Sequence, residues 1–365
     1  MNLNLSSVFR IIGIVMAVIS LSMLPSVIVS FIYDDSSIYI PFLMTMLIAG
    51  AIGILLMKLC QYRMQHLKVR DGFLIVTLCW LISAILGAVP FVITDSIPHF
   101  TDAFFESCSG FSTTGSTVLA EPELLPKGIL FWRSFTHWIG GMGILIFAIA
   151  LMPSLGISGQ NIAVSEAPGP SLDKVTPKMS DTAKTLYIIY LLFTIIETIM
   201  LMLGGMSLYD SLITSFGSVG TGGLSNYSDS IGHFDSTYIR MVITAFMFLC
   251  GVNFNLYFLS LKHGLKTFTR DSEFKLYVFV FAAASLFIFA ALLISGQYDE
   301  VLPAFSDSVF QVSSILTTTG FITADYETWP IVCQMVLLML MFIGGCSSST
   351  GGGIKVVRVL VLLKL

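Results

Sequence analysis

Three strings of threonine and glycine repeat along this sequence: Ser112-Thr113-Thr114-Gly115, Gly220-Thr221-Gly222-Gly223 and Thr317-Thr318-Thr319-Gly320. Each closes a segment that opens on aspartate, and the three segments, Asp102–Gly115, Asp210–Gly223 and Asp307–Gly320, align without a gap. An apolar residue stands nine positions after the aspartate (Phe111, Val219, Leu316). Threonine stands eleven positions on (Thr113, Thr221, Thr318) and glycine thirteen (Gly115, Gly223, Gly320). Repeats of this kind carry the architecture and are read first. The chemistry of these strings lies in their backbone. Glycine adopts φ values that other residues avoid, so consecutive carbonyls can turn to one side. Rings of carbonyls replace the hydration shell of a dehydrated potassium ion, and threonine hydroxyls can add a further ring. One such string is a weak signal; three ungapped copies are a strong one. The alternative is three helix-packing sites that use small residues for close approach.

A second polar run, Gly344-Gly345-Cys346-Ser347-Ser348-Ser349-Thr350-Gly351-Gly352-Gly353, interrupts an apolar stretch. Its helix propensity is poor, and the triple glycine opposes a continuous helix. Intramembrane breaks line cavities and binding sites. The glycines can absorb backbone change, and the hydroxyls can satisfy polar groups. The alternative is a helix cap and linker. Lys355 and Arg358 follow and mark the end of the apolar layer.

Other polar residues fall near these runs. Asp102, Asp210 and Asp307 are expected at the starts of short helices, where a carboxylate caps free N–H groups; attraction of cations is the second reading. Arg133, with His137 one turn on, and Arg240 are expected to support the threonine–glycine strings. Glu197 sits mid-span, where charge is costly, and is read as protonated or paired. Asn253 and Asn255 either line a pore or bond between helices. Gly140-Gly141-x-Gly143 reads as close packing or a hinge.

The elements that must position these residues are membrane helices. Of 365 residues, 55% are hydrophobic and 11% charged, and the mean hydropathy is +0.89. A soluble domain carries about 25% charged residues. Apolar runs long enough to cross a ~30 Å hydrocarbon layer fall at 8–32, 38–59, 72–93, 127–152, 183–205, 237–261, 275–295 and 330–345, with a shorter piece at 354–365. The first run is too long for a signal peptide. The first two form a hairpin joined by Asp34-Asp35. The other six form three pairs, each bracketing one repeat copy. Segments 99–112, 207–218 and 303–316 are too short to span and are predicted to be half-helices that return as extended chain. The fold class is an all-α polytopic membrane protein, with three helix–re-entrant loop–helix units after an N-terminal hairpin. The divisions are 1–68 for the hairpin, 69–155 for repeat 1, 156–265 for a cytoplasmic loop with repeat 2, and 266–365 for repeat 3 with loop 344–353.

Basic residues set the orientation. Fifteen of the 18 lysines and arginines fall at one face: Arg10, Lys58, Arg63, Lys68, Arg70, Lys174, Lys178, Lys184, Lys262, Lys266, Arg270, Lys275, Lys355, Arg358 and Lys364. The N-terminus is therefore expected in the cytoplasm, with loop 153–180 on the same side. The re-entrant segments start from the opposite, acidic face. The six cysteines have no CxxC spacing, which indicates neither a disulfide framework nor a zinc site. No HExxH, Ser/His/Asp set, GxGxxG or GxxxxGK[ST] is present, so an enzyme or a nucleotide-binding chain is not indicated.

On the three threonine–glycine segments, the run Gly344–Lys355 and the two extra N-terminal spans, the sequence resembles the Trk/Ktr/HKT superfamily of potassium transporters, most nearly its bacterial TrkH-type uptake subunits. The resemblance covers essentially the whole chain. It implies four units around one pore, a filter strand from each, and potassium as the transported ligand with no covalent cofactor. It also implies a gate at 344–353, a homodimer, a cytosolic nucleotide-binding regulatory ring, and a place in the bacterial inner membrane. Only three units precede Leu365, so a truncated form, or a fourth unit from another chain, is expected. Transport coupled to protons or sodium is the alternative activity.

Overall fold

The computed structural model describes residues 5–34, 36–60, 69–143 and 179–364. The expected loop 153–180, the end of the expected span 127–152, and Arg63, Lys68, Lys174 and Lys178 lie wholly or largely outside the described residues. What is described is helical, with no strand beyond one isolated bridge between Ile343 and Ile354. The helices are α1 (Leu5–Ser22), α2 (Leu24–Tyr33), α3 (Ser36–Leu59), α4 (Val69–Ile93), α5 (Phe100–Phe111), α6 (Lys127–Gly141), α7 (Met179–Leu203) and α8 (Leu208–Val219). They continue as α9 (Thr237–Cys250), α10 (Phe254–His263), α11 (Lys266–Arg270), α12 (Ser272–Ile294), α13 (Val301–Leu316), α14 (Ile331–Phe342) and α15 (Val356–Lys364).

Among the described residues, five apolar helical stretches are long enough to cross a membrane: Leu5–Tyr33, Ser36–Leu59, Arg70–Ile93, Lys184–Leu203 and Ser272–Ile294. Large apolar side chains such as Leu47, Ile54, Leu286 and Met339 stand exposed along these and neighbouring helices, as lipid-facing surface does. Two expected spans differ from the sequence reading. The run 237–261 is not one helix: α9 and α10 meet at 84°. Asn253 ends the first direction and starts the second, its side chain accepting from the Asn255 N–H. The run 330–345 is helical only over Ile331–Phe342, about 18 Å at 1.5 Å per residue, because the glycine–serine run begins there.

The chain divides into two compact units, Met1–Ser112 with Ser116–Tyr187, and Thr113–Gly115 with Ile188–Leu365. In the first, α1 crosses α3 so closely that a Cβ on Gly13 or on Gly53 would lie 2.7 Å from the other's carbonyl oxygen. Small residues allow such approach between membrane helices. Asp34, at the end of the hairpin's first arm, caps α6: the Lys127 and Gly128 N–H groups donate to its carboxylate at 3.0 and 2.8 Å. Trp132 is buried in the same unit and donates from Nε1 to the Gly87 carbonyl at 3.0 Å. In the second unit α13 packs against α9, α12 and α14, around buried Ile288, Val312, Leu316 and Leu337.

Candidate functional site

The three short helices stand where the repeat requires. Helix α5 covers 100–111, α8 covers 208–219 and α13 covers 301–316. Each ends directly at its threonine–glycine string, with Ser112, Gly220 and Thr317 as C-caps. The cap N–H groups bond back to Cys108, Phe216 and Ser313, four residues earlier. The Ser112 and Thr317 hydroxyls donate to the same Cys108 and Ser313 carbonyls, each at 2.7 Å.

Beyond the caps the repeat becomes a repeat of backbone angles. Thr113, Thr221 and Thr318 have φ of 53°, 52° and 59°, and Gly115, Gly223 and Gly320 have φ of 78°, 73° and 88°. The residue between each pair, Thr114, Gly222 or Thr319, is not left-handed. Alternating the sign of φ flips every second peptide plane, so carbonyls that would point alternately up and down a strand face one way. The N–H groups confirm that sense in the second and third copies. Gly222 and Thr319 N–H donate to the Gly217 and Ser314 carbonyls, both at 2.8 Å, and Thr221 and Thr318 N–H to Ser218 and Ile315. Donors are thus used against the parent helix and carbonyls are left for the other side. A β-branched residue at positive φ is an outlier that costs roughly 1–3 kcal/mol, and it occurs here three times at one register.

Within the second unit the strings stand edge to edge. A Cβ on Gly115 would lie 2.2 Å from the Gly222 oxygen, and one on Gly223 2.0 Å from the Thr319 oxygen. Only hydrogen fits at these positions, independent of φ. A cavity of about 230 Å³ beside them is lined by Thr114, Thr318, Thr319 and Gly320. The hydroxyls hold protein atoms: Thr221 Oγ1 donates to the Gly220 oxygen at 2.8 Å, and Thr317 and Thr319 share a hydrogen bond of 2.7 Å.

None of the three aspartates is the N-cap of its helix. The caps are His99, Ser207 and Glu300. Asp210 is the fourth residue of a capping box: the Ser207 hydroxyl accepts from its N–H at 3.0 Å and donates to its carboxylate at 2.7 Å. Its other oxygen takes Asn226 and Tyr227, both at 3.4 Å. Asp307 lies a turn and a half inside α13, because that helix starts at Val301. It accepts from Tyr298 at 2.9 Å and Thr323 at 3.0 Å and pairs with Arg240 at 3.5 Å. Burial, and then the Asp307 carboxylate, push the Tyr298 phenol above its ordinary range, so it stays a donor. Asp102 is half-buried and takes only a long contact from the Thr101 hydroxyl, 3.5 Å.

In the first copy the corresponding task falls to Glu106, which the sequence reading passed over. Its buried carboxylate accepts from Arg133 Nε at 2.5 Å, Thr117 at 2.9 Å and the Val118 N–H at 3.0 Å. Gln311 stands at the same position in the third copy and donates to the Ala324 carbonyl at 3.1 Å. Arg133 and Arg240 therefore act on carboxylates of the short helices. His137 is buried one turn beyond Arg133. Gly140 shows the close-packing alternative, since a Cβ there would lie 2.0 Å from the Phe111 oxygen.

The run Gly344–Gly353 forms a closed loop whose two ends lie together. Gly344 N–H donates to the Ile354 oxygen at 2.9 Å, and Val356 N–H to the Gly345 oxygen at 3.2 Å. The loop rests on the α9–α10 break: Cys346 N–H donates to the Gly251 oxygen at 2.8 Å, and Phe254 N–H to the Ser348 oxygen at 3.0 Å. Near its C-terminal end the Gly352 N–H donates to the Thr318 hydroxyl at 2.6 Å, so loop and string touch. A Cβ on Gly351 would meet the Thr317 oxygen at 2.9 Å. Lys355 does more than mark a boundary, for its ammonium folds back onto the Gly351 carbonyl. Asn253 serves as a helix cap. Glu197 is fully buried and accepts from Ser218, at the end of α8, at 2.6 Å.

The family model described as "TrkH: Cation transport protein" matches residues 41–365. The "Trk system potassium uptake protein TrkH" of Vibrio parahaemolyticus is 40% identical over 362 residues, which are 98% of this chain and 74% of that protein. The Escherichia coli protein of the same name is 39% identical, over 99% of this chain and 75% of its own length. The E. coli "Trk system potassium uptake protein TrkG" is 36% identical, over 96% and 73%. Among solved structures, the potassium transporter TrkH from V. parahaemolyticus superposes with a TM-score of 0.86 at 38% identity, over 98% of this chain and 74% of that one.

Proposed function

The chain belongs to the TrkH family of cation transport proteins, and from that premise we propose how its residues select and gate the ion. It is a multi-pass membrane subunit for potassium uptake, and not an enzyme. Selection rests on the carbonyls of Ser112–Gly115, Gly220–Gly223 and Thr317–Gly320. The observation that carries this is the shared alternation of φ, with threonine and then glycine left-handed in every copy. Carbonyls turned to one side substitute for the water that a potassium ion sheds. Helices α5, α8 and α13 each end at their own string, and the dipole of each favours a cation at that end.

Beneath this filter, Gly344–Gly353 is the gate. Its C-terminal end bonds to Thr318 through Gly352, and its glycines can absorb a change of path. Arg133, Arg240, Glu106, Asp210 and Asp307 brace the strands that follow the filter. The basic face supports an N-terminus on the cytoplasmic side of a bacterial plasma membrane. A homodimer with a cytosolic nucleotide-binding ring is the assembly that family membership favours. A second reading, potassium movement coupled to protons or sodium, draws on Glu197, a buried acid bonded to Ser218 at the end of α8. Flux that follows an imposed pH or sodium gradient, and loses that dependence in Glu197→Gln, would favour it.

The test of the filter is Gly320→Ser in reconstituted full-length protein. With φ of 88° at this residue, a side chain is strained and the carbonyl direction shifts. The expected result is a lower potassium-over-sodium flux ratio. An unchanged ratio would remove the carbonyl filter from the account.

A further inference from the structure

We infer that Glu273, in the first turn of α12, is the latch that positions the Gly344–Gly353 loop. This rests on the gating role proposed above for the loop, but its central observation is independent of that role. The Glu273 side chain is buried, and both carboxylate oxygens are used by the loop and the residues that leave it. One oxygen accepts the Ser347 N–H at 2.6 Å and the Val357 N–H at 3.1 Å; the other accepts the Ser347 hydroxyl at 2.7 Å. Ser347 lies just inside the loop and Val357 just past its end. One carboxylate therefore pins both arms of the loop, from a helix 74 residues earlier in the chain.

The anchor is itself fixed. Asp271 caps α12, accepting the Phe274 N–H at 2.7 Å, so the turn bearing Glu273 cannot fray without losing that bond. Most of the loop's remaining contacts use backbone carbonyls of the α9–α10 break, at Cys250 and Gly251, which any sequence would offer there. Three side chains from outside the loop hold it by their own chemistry. Lys355 bonds the Gly351 carbonyl, Thr318 bonds the neighbouring Gly352 N–H, and Glu273 bonds Ser347 at the other arm. Of the three, Glu273 makes the most bonds and reaches both arms, Ser347 on one side and Val357 on the other. Displacing the loop requires leaving Glu273 buried without its three donors, or carrying the start of α12 along with the loop.

Cys346, next to Ser347 and fully buried, reports on the latch. The experiment uses the full-length protein in proteoliposomes, with Cys60, Cys79, Cys108, Cys250 and Cys333 replaced. Two quantities are read: the rate at which a small aqueous thiol reagent modifies Cys346, and rubidium flux. Glu273→Met keeps the bulk and removes every acceptor. Glu273→Gln keeps an oxygen for the two N–H groups and an amide that can donate to Ser347. The expected result is Cys346 reactivity raised on the order of tenfold or more by Glu273→Met, a rise of at most a few-fold in Glu273→Gln, and an intermediate value in Ser347→Ala. A merely space-filling Glu273 would show no such order. Unchanged Cys346 reactivity in well-folded Glu273→Met, or equal release by Met and Gln, overturns the latch. Deletion of Gly344–Gly353 tests the gate separately. If that deletion leaves flux unaltered, the gating role falls, and the Cys346 rates still decide the latch. If the deletion raises flux and Glu273→Met changes neither quantity, the latch falls alone.

Discussion

The bond between the Gly352 N–H and the Thr318 hydroxyl, 2.6 Å long, is a direct link from the loop to the filter. Thr318→Val removes the acceptor while keeping the β-branched shape at a residue whose φ is 59°. Gly352 is exposed, so its freed N–H can find water, and the full penalty of a buried orphan does not apply. The loss is that of an ordinary hydrogen bond, about 0.5–1.5 kcal/mol. The bond exists only while the loop lies beneath the filter, so the whole loss falls on the closed arrangement. At RT of 0.59 kcal/mol the closed-to-open ratio drops about 2- to 13-fold. Thr318→Ser keeps the acceptor and is the control. The assay is initial rubidium uptake into proteoliposomes at matched protein density. The expected order is Thr318→Val above wild type, with Thr318→Ser within about twofold of wild type. Valine and serine variants with equal flux would show that the bond does not hold the gate, and the reasoning from loop to filter would fail with it.

Three further expectations follow from packing and pairing. Arg133→Met leaves Glu106 buried without its cation and should cost about 3–5 kcal/mol. It would be seen as a lower unfolding temperature in detergent, partly recovered in the double variant with Glu106→Gln; full stability in the single variant would contradict the ion pair. Gly140→Ala places a methyl 2.0 Å from the Phe111 oxygen, next to Ser112, and should cost about 1–3 kcal/mol. Its potassium-over-sodium ratio should fall together with its stability, and a stable, fully selective variant would refute that coupling. Ser207→Ala removes the cap that accepts the Asp210 N–H at 3.0 Å and should cost about 0.5–2 kcal/mol, measurable by the same unfolding assay; no change would place the start of α8 under other control.

The short helices were legible because each is a brief amphipathic run between two long apolar ones. The expected segments 99–112, 207–218 and 303–316 meet helices at 100–111, 208–219 and 301–316. The glycine of each string was legible because its φ is one that only glycine tolerates well. The aspartates were misplaced because the repeat begins at aspartate while the helices do not: α13 starts six residues earlier, at Val301. Ser207 ahead of Asp210 was a readable cap signal. Asn253 ahead of an apolar run was another, and it marks the bend that divides 237–261. Glu273 was not legible at all, since nothing local ties an acid at the start of a helix to a loop 74 residues on.

Glu106 escaped for a different reason, which bears on how the repeat works. The alignment finds positions of one residue type, but bracing needs only a polar group aimed at the strand after the filter. On a helix, positions four apart share a face, and the first and fifth positions of each segment do so here. The first copy uses the fifth position, with Glu106 on Thr117 and Val118. The second uses the first, with Asp210 on Asn226 and Tyr227. The third uses both, with Asp307 on Thr323 and Gln311 on Ala324. In every case the braced residue lies two to four positions past the filter glycine. The backbone angles are common to the copies, and the means of holding them is not. The strained threonines can therefore be released one at a time. Removing one brace should disturb the third copy least, because its second brace remains, and the first copy most, because Glu106 there holds both Thr117 and Val118 and pairs with buried Arg133.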